Sequence, residues 1–150
     1  MFSFLRIIDH FQQRTLIILL LAIGFLTYLN TLPNQFLWDD EEQIVANPTI
    51  RHVSNLPQLF LMSTGTAGGT DAHNGFYRPL MFIAYLINYQ FWGLKAWGFH
   101  LFQVLVHLIN LVLFFLILRH LLNHQKIKYH QALPFLISLL FAVQDRKSVV

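Results

Sequence analysis

Apolar positions fill three long stretches of this chain, and polar positions gather between them. The first stretch, TLIILLLAIGFLTYLNTL at residues 15–32, approaches the roughly 17–25 residues that a helix needs to cross a bilayer. Pro33 and Asn34 then stop it, because proline has no amide proton to give a helix. The second stretch, GFHLFQVLVHLINLVLFFLIL at residues 98–118, predicts a second crossing. The third, ALPFLISLLFAV at residues 132–143, predicts the start of a third span that the chain does not complete. A fourth apolar run, LMFIAYLINYQFW at residues 80–92, is too short to cross and is rich in aromatic residues. That composition suits the headgroup level, so a helix lying along the membrane surface is expected.

Composition supports a membrane chain. Hydrophobic residues make up 55% and charged residues 11% of the 150 positions, against about a quarter charged in a soluble domain. With no cysteine, disulfides and thiolate metal sites are excluded. The formal charge of +3 comes without a dense basic tract, so nucleic acid is not an expected partner. The N-terminal apolar run is too long for a cleaved signal, and YLNTLPNQF offers no small-residue cleavage site, so a retained signal anchor is expected.

Charge orients the spans. If residues 80–92 stay on one side, then Arg6, Arg14, Arg119, Lys126 and Lys128 share one compartment and the acidic loop faces the other, as the positive-inside rule requires. This gives a cytoplasmic N-terminus (1–14), a first span (15–32), a long extracytoplasmic loop (33–97), a second span (98–118), a cytoplasmic loop (119–131), a partial third span (132–143) and a tail (144–150). A loop as long as 33–97 is uncommon unless it is functional. It contains a Gly- and Thr-rich patch, Ser63 to Gly75, expected to be flexible, and NLPQLFLM, expected to form a short surface helix.

Four of the seven acidic residues stand together in that loop, as Asp39, Asp40, Glu41 and Glu42. A helix start explains part of this: Asp39 can cap, with Glu42 three residues on as its capping-box partner. It explains four acids poorly. Crowded carboxylates repel, which raises proton affinity and suits a general base. Arg78 precedes Pro79 at the start of the surface helix, where a lipid phosphate would lie, and its planar fork can bind two phosphate oxygens. A headgroup-level arginine with no special role fits the same position. On the second span His100, Gln103, His107 and Asn110 form one polar stripe. Interhelical hydrogen bonds account for the last three, whereas His100 lies near the outer surface, within reach of the loop.

FLWDDEEQIVANP, then FYRPL, then WGFHLFQVLVHLINLVLF resemble the N-terminal region of the GT-C class of membrane glycosyltransferases. The branch they most resemble is that of the TMTC-like O-mannosyltransferases and their bacterial relatives, whose members carry tetratricopeptide repeats after the membrane domain. The carrying residues are Trp38, Asp39, Asp40, Ile44 and Asn47, then Tyr77, Arg78, Pro79 and Leu80, then Gly98, Phe99 and His100. The resemblance implies an all-α integral membrane fold, here the N-terminal part of a polytopic helical bundle. It also implies inverting transfer of a sugar from a polyprenyl- or dolichyl-phosphate donor to a hydroxyl of a protein or glycan acceptor, on the extracytoplasmic face. Asp39 would be the base, with Asp40 orienting the acceptor or holding a divalent cation (Mg or Mn). Arg78 would stabilise the departing lipid phosphate, and Glu41, His100 and Tyr77 would line the substrate site. The setting would be the plasma membrane in a bacterium or the endoplasmic reticulum in a eukaryote.

The tail departs from that pattern. Relatives follow LLFA with a hydrophobic residue and His-Pro, whereas this chain has Gln144 and Asp145, then Arg146 and Lys147. The chain is therefore expected to be a fragment, inactive alone. A non-enzymatic transporter or assembly subunit is the competing reading, but it should place ionisable residues at mid-membrane, and the first span has none. A calcium loop of the EF-hand type needs alternating ligands and a glycine that the acidic run lacks.

Overall fold

The computed structural model describes residues 2–61, 76–125, 127 and 129–144; the Ser63 to Gly75 patch and residues 145–150 lie outside these. The described residues form helices and turns with no strand. The helices are α1 (Phe2–Asp9), α2 (Gln13–Tyr28), α3 (Leu56–Leu59), α4 (Pro79–Trp92), α5 (Ala96–His124) and α6 (Ala132–Gln144). A 3₁₀ turn, Leu29–Thr31, prolongs α2. Among the described residues two helical segments are long and apolar enough to span a membrane, Gln13–Thr31 and Ala96–His124, so these residues form an all-α membrane fragment. The second helix runs six residues past the expected end at 118 because Leu121 and Leu122 extend its apolar character beyond Arg119. At 29 residues it measures about 43 Å, enough to cross about 30 Å of hydrocarbon and continue into the headgroups. By contrast α4, with 14 residues, is about 21 Å long.

The chain divides into two compact units, Met1–Thr31 with Gln103–Val150, and Leu32–Phe102. In the first, α2 buries Leu16, Leu20, Gly24 and Tyr28, four residues apart and so on one face. The buried positions of α5 are Val104, Leu108, Leu111 and Phe115, and Leu108 and Leu111 lie over Gly24. The helix α6 packs on α1 and α2. Its N-terminus is held by Asp9, whose Oδ1 accepts the amide protons of Gln131 (2.9 Å) and Ala132 (3.3 Å). The outward faces carry Ile18, Leu26, Ile109 and Leu140, each at least 60% exposed, a surface suited to lipid and not to water.

The expected interhelical hydrogen bonds of the α5 stripe are not formed among the described residues. Gln103 and Asn110 are exposed. His107 packs through its ring instead, edge-on to Tyr28 (4.9 Å) and stacked on Phe141 (5.5 Å).

The second unit is built around one apolar cluster: Ile44, Ile50, Leu59, Phe82, Leu86 and Phe99, with Phe36, Met81, Ile83, Tyr85 and Tyr89 against it. Burying each large apolar side chain contributes roughly 1.5–3 kcal/mol. The cluster takes Ile44 from the acidic segment, Phe82 from α4 and Phe99 from the start of α5, so it joins three segments distant in sequence. The opposite side of α4 presents Leu80, Ile87 and Phe91, a second apolar face at seven- and four-residue spacing. A helix apolar on both faces, with one face on protein, leaves the other uncovered among the described residues.

The corner between α4 and α5 depends on two glycines. Gly93 takes a left-handed backbone (φ 59°) that side chains disfavour. Gly98 lies under the Trp92 ring, where a Cβ would come 2.3 Å from Trp92 Cγ.

Candidate functional site

The acids enter through a turn. Trp38 has φ 50°, costly for a bulky residue at about 1–3 kcal/mol and frequent near functional sites, and its side chain is 88% exposed. Just after it the chain bends back on itself. The Leu37 amide donates to Asp40 Oδ2 (3.4 Å), and the Asp40 amide donates to Leu37 O (3.0 Å). The capping pair of Asp39 with Glu42 is not formed among the described residues; the carboxylate that engages backbone is that of Asp40. Glu41–Val45 then forms a π-helical turn, closed by the Ala46 amide on Glu41 O (2.8 Å). Such turns recur at functional sites.

Burial separates the motif into scaffold and working face. Ile44 is buried and anchors the turn in the apolar cluster. Asn47 is fully buried, its Nδ2 donating to Gln43 O (3.1 Å) and its Oδ1 accepting from the Thr49 amide (2.9 Å). Asp39, Glu41 and Glu42 are exposed, and Asp40 is half-buried.

Arg78 and Tyr77 are both exposed at the entry to α4. The Arg78 guanidinium lies 5.0 Å from the centre of the Phe76 ring. Pro79 occupies the first turn of α4, where its missing amide costs nothing. Seven residues after Arg78 comes Tyr85, which sequence inspection did not single out. It is half-buried, with its ring 6.3 Å from Phe82 and 6.2 Å from Phe99. Burial pushes the Tyr85 phenol up to about 12; the carboxylates of Asp40 and then Asp39 add to this, and the Arg78 guanidinium opposes it. One hydroxyl thus feels both acids and the arginine, so Asp39, Asp40 and Arg78 share a neighbourhood. The signal that would have found Tyr85 is its spacing, two helical turns from Arg78. No side-chain hydrogen bond, ion pair or ring contact joins Glu41 or Tyr77 to this group among the described residues.

His100 follows Gly98 and Phe99 on α5. Phe99 is buried against Phe36, with centroids 5.3 Å apart. The two ring nitrogens of His100 are shielded and have no hydrogen-bond partner within the described protein. No group of three or more His, Asp or Glu side chains placed to hold a metal ion occurs among the described residues.

Comparison with known proteins agrees with the motifs. The chain is 34% identical over 102 residues to the Drosophila melanogaster protein O-mannosyl-transferase Tmtc1, covering 67% of this chain and 12% of that protein. It is 36% identical over 89 residues to Xenopus laevis protein O-mannosyl-transferase tmtc2, 57% of this chain and 10% of that protein. To human protein O-mannosyl-transferase TMTC3 it is 29% identical over 126 residues, 82% of this chain and 13% of that protein. The chain therefore spans about a tenth of the length of these proteins. No family model and no solved structure matches it. This chain is a relative of the TMTC-type protein O-mannosyl-transferases, similar to them over more than half of its own length.

Proposed function

We propose that this chain is the donor-site segment of a membrane O-mannosyl-transferase, which moves a sugar from a lipid phosphate to an acceptor hydroxyl on the extracytoplasmic face. The supporting observation is the apolar cluster that seats Ile44, from the acidic turn, together with Phe82, one helical turn past Arg78. Base and phosphate clamp must be close enough for one sugar to bridge them, and the segments that carry them share this core; the charges of Asp40, Asp39 and Arg78 that bear on Tyr85 agree with it.

In the proposed reaction the Asp39 carboxylate takes the proton of the acceptor hydroxyl as its oxygen attacks the anomeric carbon. The bond from that carbon to the lipid phosphate breaks, and configuration inverts. Arg78 offsets the charge that builds on the leaving phosphate, an effect worth about 3 kcal/mol when well placed. Asp40, held by the Leu37 amide, orients the acceptor. The Tyr85 phenol, neutral at physiological pH, supplies a hydrogen-bond donor on the floor of the site. A divalent cation would draw on Asp39 and Asp40, since magnesium is commonly held by one or two carboxylates together with substrate phosphate oxygens. The described residues add no third ligand.

The length and exposed face of α4 support this placement. The helix is too short to span, and its Leu80, Ile87 and Phe91 face lies outward. A surface-lying α4 keeps Arg78 at headgroup depth, where a lipid phosphate resides. The test uses a full-length protein carrying this segment, purified in lipid, with a mannosyl-phosphoryl polyprenol and an acceptor peptide. Transfer with inversion, read by the anomeric NMR coupling, is expected. Retention, or transfer from a nucleotide sugar with none from the lipid donor, would contradict the proposal.

A further inference from the structure

Arg51 carries no motif, yet it joins the two halves of the site. Its Nη2 donates to Val45 O (2.6 Å), at the end of the acidic π-helical turn, and its Nη1 donates to Tyr89 Oη (3.2 Å) on α4. The guanidinium carbon lies 5.1 Å from the centre of the Tyr89 ring. The carbonyl of Arg51 accepts from Gln90 Nε2 (3.1 Å), a second tie to α4. Val45 follows Ile44 in the segment that carries Asp39 and Asp40. Tyr89 is one helical turn past Tyr85 and three turns past Arg78.

We infer that Arg51 is a positioning residue: it clamps the acidic turn to α4 and so sets the gap between the base on Asp39 and the phosphate clamp on Arg78. This inference rests on the proposed transfer reaction. The apolar cluster alone does not set that gap. Hydrophobic contact resists separation but has no direction, so the cluster holds Ile44 in the core without fixing the angle at which the acidic turn meets α4. A planar guanidinium bound to two acceptors on different segments removes that freedom. Lysine offers a point charge without the fork and cannot reproduce it. The two donors of Arg51 already point at protein acceptors, which marks it as a fastener and distinguishes it from the exposed Arg78.

The test compares Arg51→Lys, Tyr89→Phe, the double variant and Asp39→Asn with wild type in a full-length protein, using mannosyl-phosphoryl polyprenol and counting only folded, membrane-inserted enzyme. A misplacement near 1 Å costs about 100-fold in rate, so Arg51→Lys should lower kcat by about 10- to 100-fold with the KM for donor within about threefold. Tyr89→Phe, which removes one hydroxyl and keeps the ring, should lower kcat by about three- to tenfold, and the double variant should be no slower than Arg51→Lys. A wild-type kcat for Arg51→Lys alongside inactive Asp39→Asn would overturn the clamp and leave the transfer reading standing. A raised donor KM with kcat kept would make Arg51 a donor ligand and also overturn it. Loss that tracks only the folded fraction would reduce Arg51 to a structural residue. If Arg51→Lys does not fold, a wild-type kcat for Tyr89→Phe overturns the clamp. A wild type that transfers nothing from the lipid donor overturns both readings.

Discussion

Replacing Asn47 by alanine separates scaffold from chemistry in the acidic segment. Its side chain is fully buried and closes two bonds, to Gln43 O and from the Thr49 amide. Losing the first costs about 0.5–1.5 kcal/mol, and stranding a buried amide costs about 1–3 kcal/mol. The sum, about 1.5–4.5 kcal/mol, falls on the local opening of residues 43–51. Since each 1.4 kcal/mol is a factor of ten, amide hydrogen exchange there should quicken by about 10- to 1,600-fold. Asn55→Ala is the comparator. Asn55 donates one bond, to Thr49 O (3.0 Å), and its removal strands no amide, so about 0.5–1.5 kcal/mol is expected. Exchange mass spectrometry in detergent or nanodiscs resolves the two. Exchange in Asn47→Ala within about threefold of wild type, or equal to that of Asn55→Ala, would refute the argument that Asn47 belongs to the motif as a brace.

Gly98→Ala should destabilise. A Cβ 2.3 Å from Trp92 Cγ costs about 1–3 kcal/mol of overpacking, against about 1 kcal/mol gained by alanine in a helix. A net loss of up to about 2 kcal/mol is expected in thermal unfolding, and a higher melting point would contradict the packing. For Tyr85, the folded value of about 12 lies above the ordinary 10, so the fold favours the neutral phenol. That contribution is complete below pH 10 and is lost as pH rises through about 12. Absorbance at the tyrosinate band should show a transition near pH 12 that Tyr85→Phe removes; a transition that persists would place the shift elsewhere. A topology reporter inserted after Gly93 should read extracytoplasmic, and a cytoplasmic reading would mean that α4 crosses.

The spans were legible because runs such as residues 16–26 and 111–118 read as apolar whatever they touch. The acidic run stood out because four carboxylates in a 55% hydrophobic chain need a reason. What local spacing could not show is how the segments meet. Arg51 and Tyr89 are 38 residues apart and bond only after folding, and neither carries a motif. Asn47 looked like part of a signature, and its role as a brace appears only with its burial. The capping pair of Asp39 and Glu42 failed because the turn before it, with Trp38 in a left-handed conformation, engages Asp40 instead. The α5 stripe finds no hydrogen-bond partners among the described residues for a related reason: 3.6-residue spacing places polar groups on one face but does not supply partners opposite that face.

Asp39→Asn in a full-length protein tests the central claim most directly. General-base removal costs about 100- to 10,000-fold in rate. Sugar transfer should fall by that factor while the lipid-linked donor binds with unchanged affinity and insertion is normal. Transfer at the wild-type rate by the asparagine variant would take Asp39 out of the chemistry and the base-and-clamp arrangement with it.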